Sequence, residues 1–269
     1  HLLKNEIDKI KDAAIAIVDC SFININTQEI KFDSVVQIKE KTVSIYMTNN
    51  IFQSCQSSQG VIYLDSCRCV TMTHTCSYES KSQSQSSFLF SSCVPNDFSI
   101  IIYNTIVNSK CDNGDSKNIL CKSGSQYYRC NNMTGVPYMG YQFEAPQCFS
   151  FAMNTVMDCG QSCFYFSGSY SQCQEFTSKQ IKMVNFFTNG GSVIRLSSQC
   201  NKDITIIDSV LMAKSQGNFI AYDNEHITLI LQNCIISQVY QQQQLVIIKD
   251  CETYSYNTKY LTIFPHFTN

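Results

Sequence analysis

Sixteen cysteines are the residues with the most chemistry to offer in this 269-residue chain. Thiols can pair as disulfides, hold soft metal ions or act as nucleophiles, and their spacing decides among these. Structural zinc needs two short, matching pairs. Only Cys67-Arg68-Cys69 and Cys159-Gly160-Gln161-Ser162-Cys163 are tight, with His74 near the first. The density is that of a chain made in an oxidising compartment, with free buried thiols in a reducing one as the alternative. Carboxylates offer a second chemistry. Asp203, Asp208 and Asp223, with Arg195 and Lys202, are the best local collection for acid–base cleavage of a polysaccharide. Cys111-Asp112-Asn113-Gly114-Asp115 has the composition of a calcium turn but not the EF-hand pattern. There is no Gly-x-Ser-x-Gly elbow, no Gly-x-Gly-x-x-Gly loop and no P-loop. No catalytic or metal-binding residue is assigned, and no cofactor is implied.

A repeat sets where these residues must sit. Its clearest copies lie between Val193 and Cys251: Val193–Leu196, then Ile204–Ile207 with Asp208, then Val210–Leu211. The pattern restarts at Phe219–Tyr222, Ile227–Leu231 with Asn233, and Ile235–Ile236, and again at Val246–Ile248. The first strand of each turn can be followed back through Phe164–Phe166, Tyr141–Phe143, Asn118–Leu120, Phe88–Phe90 and Val61–Leu64 to Val35–Ile38, a period of about 26 residues. A second strand recurs with an Asx or His turn after it: Val43–Tyr46, Val70–Met72 with His74, Ile100–Ile102 with Asn104, Phe149–Met153 with Asn154, and Ile181–Val184 with Asn185. Strands this short cannot bury an apolar face alone. Stacked in parallel about 4.8 Å apart, they complete their hydrogen bonds and build apolar columns.

The expected fold is all-β, a parallel β-solenoid of about nine to ten coils over residues 15–269 and on the order of 45 Å long. An antiparallel sandwich would want hairpin turns every 8–12 residues, and Asn-Gly occurs only at 113–114 and 189–190. Residues 1–14 carry helical periodicity at Leu3, Ile7, Ile10 and Ala14, which predicts a short helix capping the open edge of the stack. Residues 121–147, with two prolines and Gly124, Gly135 and Gly140, predict an irregular or bulged coil.

Placed on the repeat, Asn104, Asn154, Asn185, Asp208 and Asn233 form one turn column, which makes Asp208 a corner residue before a catalyst. Cys67, Cys93 and Cys251 each follow a first strand by three residues. Cys67 and Cys93 are then one coil apart, about 5 Å between backbones, within the span of a disulfide. Cys173–Cys200 and Cys111–Cys130 are weaker pairings. The 17 Phe and 15 Tyr, with no Trp, suit stacked core rings better than a carbohydrate face.

Charged residues are 15% of the chain and the net charge is −2, which excludes a polybasic nucleic-acid or lipid surface. No apolar run is long enough to span a bilayer. Asn132-Met133-Thr134 is a glycosylation sequon, compatible with secretion.

The φ-x-φ-φ-x-Asn/Asp-x-φ-φ coils at 181–187, 204–211 and 227–236, with Cys beside them and Ser/Gln/Asn-rich loops, resemble right-handed parallel β-helix proteins of the pectin-lyase-like class. More narrowly, they are similar to the large Cys-rich β-helix surface proteins of protists and to the chlamydial polymorphic outer-membrane proteins. The resemblance covers roughly residues 13–264 and implies a right-handed coil and an extracellular or cell-surface scaffold or adhesion role. The partners it implies are other surface or matrix proteins, or copies of the chain joined end to end or side by side. Tyr260–Phe264 reads as a further uncapped rung, which a longer chain or a neighbouring subunit is expected to cover. A polysaccharide-cleaving enzyme and a glycan-binding module stay open as alternatives.

Overall fold

The structure is a computed structural model that describes residues 13–27, 33–84, 86–111, 117–144, 146, 148–159, 162–167, 176–179, 182–185, 192–196, 203–213, 220–222, 228–237 and 246–254. These residues form parallel strands stacked as a β-solenoid, and no helix occurs among them. Residues 1–12 of the expected capping helix and the Cys173–Cys200 pair lie outside the described residues, and Ala14, its last periodic position, opens the strand Ala14–Val18 instead.

Three ladders run along the stack. Ladder one holds Val36–Lys39, the first half of Ile62–Thr73, the first half of Ser86–Ile102, Lys117–Lys122, Met139–Glu144, Ser162–Ser167, Ser192–Leu196 and Ile220–Tyr222. Ladder two begins with Ala14–Val18 and Ser44–Thr48 and takes the second halves of the same two long strands. It continues through Ser125–Arg129, Cys148–Ala152, Phe176–Lys179, Ile204–Ile207, Leu229–Gln232 and Val246–Lys249. Ladder three is a separate ten-stranded sheet from Ser21–Ile23 to Glu252–Tyr254. A minor sheet of Gln56–Ser57, Lys81–Ser82 and Lys110–Cys111 closes part of the remaining side.

Alternation along each strand sends every second side chain inward. In ladder two, one inward column runs Ile17, Met47, Met72, Ile101, Tyr128, Phe151 and onward through Ile206 and Leu231 to Ile248. The widest part of the core is aromatic. Tyr128, Tyr141, Phe143, Phe151, Phe164 and Phe166 are each at most 1% exposed, and their ring centroids pack 4.5–6.3 Å apart in edge-on and stacked pairs.

Residues 121–147 were expected to bulge. Instead, Ser125–Arg129, Asn132–Val136 and Met139–Glu144 pair in register with both neighbouring rungs. Gly124 turns the corner between Lys117–Lys122 and Ser125–Arg129 with a φ of 65°, and Gly135 takes a φ of 67° inside its strand. Two strands sit on a different ladder from the one their pattern suggested. The second strand of its turn is Phe176–Lys179, and Lys182–Asn185 belongs to ladder three beside Thr155–Cys159. Val246–Lys249 pairs with Leu229–Gln232, which places it in ladder two rather than ladder one.

Candidate functional site

The corner between ladders two and three is the most repetitive chemical feature of the molecule. It uses two consecutive residues per turn. The first has a left-handed backbone: Asp19, Asn49, His74, Tyr103, Cys130, Met153, Asp208, Asn233 and Asp250 all have φ of 50–57°. That conformation costs a non-glycine residue roughly 1–2 kcal/mol. The ladder on either side holds it, as where Asp208 N–H donates to Gln232 O (3.1 Å) and Asn233 N–H to Lys249 O (2.9 Å).

The second residue points into the core and forms a ladder of its own. Asn104 Nδ2 donates to Ile102 O (3.0 Å) in its own turn and to Met72 O (3.2 Å) in the turn before. Its Oδ1 accepts the N–H of Thr75 (2.9 Å). Asn131 and Asn154 continue the pattern: Asn131 Oδ1 accepts Asn104 N–H (3.0 Å), and Asn154 Oδ1 accepts Asn131 N–H (2.9 Å). Asn50 does the same for Cys20 N–H (3.1 Å). A primary amide suits this column because it donates and accepts at once.

The expected turn column is therefore two adjacent columns. Asp208 and Asn233 occupy the left-handed position, and Asn233 Nδ2 donates to Asp208 Oδ1 (2.6 Å) on the exposed side. Asn104 and Asn154 occupy the buried position. Asn185 belongs to neither: it ends the ladder-three strand Lys182–Asn185, opposite Ala213. Asn131, masked in the sequence by Cys130 and Asn132 on either side, is the buried member that pattern reading missed.

Cysteines substitute for asparagine at the same corner. The thiols of Cys20, Cys234 and Cys251 donate to the carbonyl two residues earlier, Val18 O (3.3 Å), Gln232 O (3.2 Å) and Lys249 O (3.2 Å). Cys251 thus stacks on Cys234 and not in the Cys67 column where its spacing had placed it. Cys55 plays a similar part at another corner, with its thiol toward Phe22 O (3.3 Å) and Gln53 O (3.6 Å).

Cys67 and Cys93 stack in register between ladders one and two, and both are free thiols in the structure. Burial pushes Cys67 up to about 12 and Cys93 up to about 11. Cys93 Sγ lies 3.0 Å from Ser99 Oγ, and the Cys121 thiol contacts the Tyr128 hydroxyl. Thiols held protonated in this way are poor nucleophiles. Stacking does not bring Cys111 and Cys130 together: Cys111 lies in the minor sheet beside Ser82, whereas Cys130 is at the corner between ladders two and three.

The described members of the carboxylate collection lie on different ladders, with Asp203 just before and Asp208 just after the ladder-two strand Ile204–Ile207. Arg195 is on ladder one, its guanidinium 5.1 Å from the Tyr165 ring centroid, while Asp208 is at the opposite end of ladder two. Lys202, Asp223 and the 112–115 segment lie outside the described residues. Among the described residues, no three His, Cys, Asp or Glu side chains are gathered to hold a metal ion, and no helix is long and apolar enough to cross a membrane.

What the described surface does offer is the outer side of ladder two. Tyr46 and Tyr127 occupy the same outward column, three rungs apart, with Thr71 and Ile100 between them. Phe98 is beside them, and at the adjoining corner the Tyr103 ring stacks on His74 with centroids 5.1 Å apart. Tyr46, Phe98, Tyr103 and Tyr127 are 38–44% exposed. The outward column of ladder one contrasts with this: Tyr63, Phe90 and Leu120 are buried, with Lys39 4.9 Å over the Tyr63 ring. Asn132, the sequon residue, is exposed at the start of its ladder-three strand. Comparison of the chain with protein-family models, with curated proteins and with solved structures finds no match, so its function rests on these columns alone.

Proposed function

We propose that the chain is a non-catalytic structural and adhesive module of an extracellular or cell-surface assembly, built as a right-handed parallel β-helix of nine to ten coils. The supporting observation is the outer side of ladder two, where Tyr46, Phe98, Tyr103 and Tyr127 stand exposed on a backbone bonded rung to rung. Neighbouring rungs repeat about every 4.8 Å, so Tyr46 and Tyr127 sit roughly 14 Å apart on a stiff strip. Aromatic side chains presented on a rigid face are the usual anchors of protein interfaces. The strip suits lateral contact with another copy of the chain or with a surface or matrix protein. Secretion is supported by the cysteine density and by the exposed Asn132 of the sequon.

The same strip favours a second reading, a glycan-binding module, because aromatic faces also stack on sugar rings. One comparison separates these readings: wild type against Tyr46→Ser/Phe98→Ser/Tyr127→Ser in sedimentation velocity and on a glycan array. The scaffold reading expects self-association, or binding to a matrix protein, that weakens at least roughly tenfold in the variant. A glycan signal lost in the variant selects the second reading. Release of reducing sugar from polyuronates by the wild type would sink both.

A further inference from the structure

We propose that Cys234 and Cys251 form a disulfide that fastens the last described rung of the solenoid to the stack. The two residues are consecutive members of the buried corner column. Ile235 and Glu252, which follow them, are register partners, and Glu252 N–H donates to Cys234 O (2.9 Å). Cys234 N–H donates to Cys251 Sγ (3.3 Å), which also lies 3.4 Å from Leu231 O, so the Cys251 sulfur sits against the Cys234 rung. Parallel neighbours in register are about 4.8 Å apart, inside the range of Cα separations that a disulfide spans.

The place in the fold gives the bond a purpose. From Ile235 to Glu252 the chain advances 17 residues, whereas earlier turns of ladder three advance 23–30. Among the described residues no ladder-one strand lies in this turn, and its strand Val246–Lys249 pairs with Leu229–Gln232 of ladder two. Ile248 completes the inward column below Leu231 yet is 47% exposed, and Ile247 is 44% exposed. A rung with so little burial gains most from a covalent tie. Closing a loop of this length shifts the opening equilibrium on the order of 100-fold.

Access also favours this pair over Cys67 and Cys93, which are 0% and 3% exposed, because Cys251 is only partly covered. A small-molecule disulfide, R–S–S–R, is the oxidant. The Cys251 thiolate attacks one of its sulfurs and releases R–SH. The Cys234 sulfur then displaces the second R–S⁻ from Cys251, and the protons of the two cysteines end on two R–SH. Burial, which pushes Cys234 up to about 12, makes the second step the slow one. Any small disulfide suffices, so the bond does not depend on the surface-protein reading.

The test uses the folded chain and oxidised glutathione at neutral pH, followed by N-ethylmaleimide blocking, digestion and mass mapping. The expected product is a linked peptide pair containing Cys234 and Cys251, two hydrogens lighter than its parts, while Cys67 and Cys93 stay reduced. Amide exchange across 246–254 should slow on the order of 100-fold and recover with dithiothreitol. Recovery of Cys251 as a stable glutathione adduct, or of both residues as alkylated thiols, overturns the proposal. Cys251→Ser keeps a donor for Lys249 O and an acceptor for Cys234 N–H. It should exchange like the reduced wild type and lose the response to oxidant; if the response persists, the assignment is wrong.

Discussion

Replacing Asn131 by Ala tests whether the asparagine column holds the corner together. Its side chain takes part in four hydrogen bonds: Oδ1 accepts from Asn104 N (3.0 Å) and Asn104 Nδ2 (3.0 Å), and Nδ2 donates to Ile101 O (2.8 Å) and Asn154 Oδ1 (2.9 Å). After truncation, Asn104 Nδ2 keeps Met72 O and Ile102 O, and Asn154 Oδ1 keeps Asn131 N–H. The Asn104 N–H has no such reserve and becomes an orphan at a site 1% exposed. One orphaned buried donor costs about 1–3 kcal/mol. The lost bond to Ile101 O and the small void add to this, for a total of roughly 2–5 kcal/mol. The adjacent Asn132→Ala is the control, since Asn132 is exposed, and it should fall within about 0.5 kcal/mol of wild type. Urea unfolding gives both numbers. Hydrogen exchange of peptides spanning 101–108 and 125–136 locates the loss, because stacked repeats can open locally. Equal effects for the two substitutions, or loss of protection spread evenly along the solenoid, would refute the reasoning.

Two other outcomes follow from buried groups and corners. Burial holds Cys67, Cys93 and Cys234 protonated up to about 12, 11 and 12, against 9.0 for a free thiol. Below pH 9 both folded and unfolded chains keep these protons. Between about 9 and 12 only the folded chain does, so stability falls as pH rises. Urea midpoints at pH 8 and 10.5 should show this decline, with a shallower slope in Cys67→Ser; identical slopes would count against it. Gly135→Ala places a Cβ against Asn108 Oδ1 at a φ of 67°, and should lower stability by about 1–2 kcal/mol or more in the same assay.

The solenoid was readable because its inward columns are strongly apolar. Val61–Leu64, Tyr141–Phe143 and Ile204–Ile207 announce themselves, and each forms part of a ladder strand. The pattern is silent where a ladder strand carries few apolar residues. Phe176–Lys179 carries one apolar side chain, so the apolar pattern points instead to the neighbouring run at 181–184 and to Asn185 after it, which belong to ladder three. Ser125–Arg129 was hidden in the same way: its inward residues are Gln126 and Tyr128, and Gln126 Nε2 bonds Ser123 O (3.0 Å) inside the core. Val246–Ile248 is apolar enough for either ladder, and only the short last turn places it in ladder two. The exposed strip was less legible still. Tyr46 and Tyr127 are separated by most of three turns, and nothing in a linear pattern distinguishes them from the buried Tyr128 and Tyr141.

The two long strands, Ile62–Thr73 and Ser86–Ile102, each pass from ladder one to ladder two as a single strand, with register shifts on either side of Cys93, and pair with each other along both. They therefore act as a mechanical stop. A pull on either end of the chain peels rungs one at a time, each held by one short strand per ladder. At these two turns the peeling front meets two ladders that are a single strand and must shear together. Under load, the unravelling of the molecule should pause there as one cooperative step, leaving a short intact collar around Cys67 and Cys93.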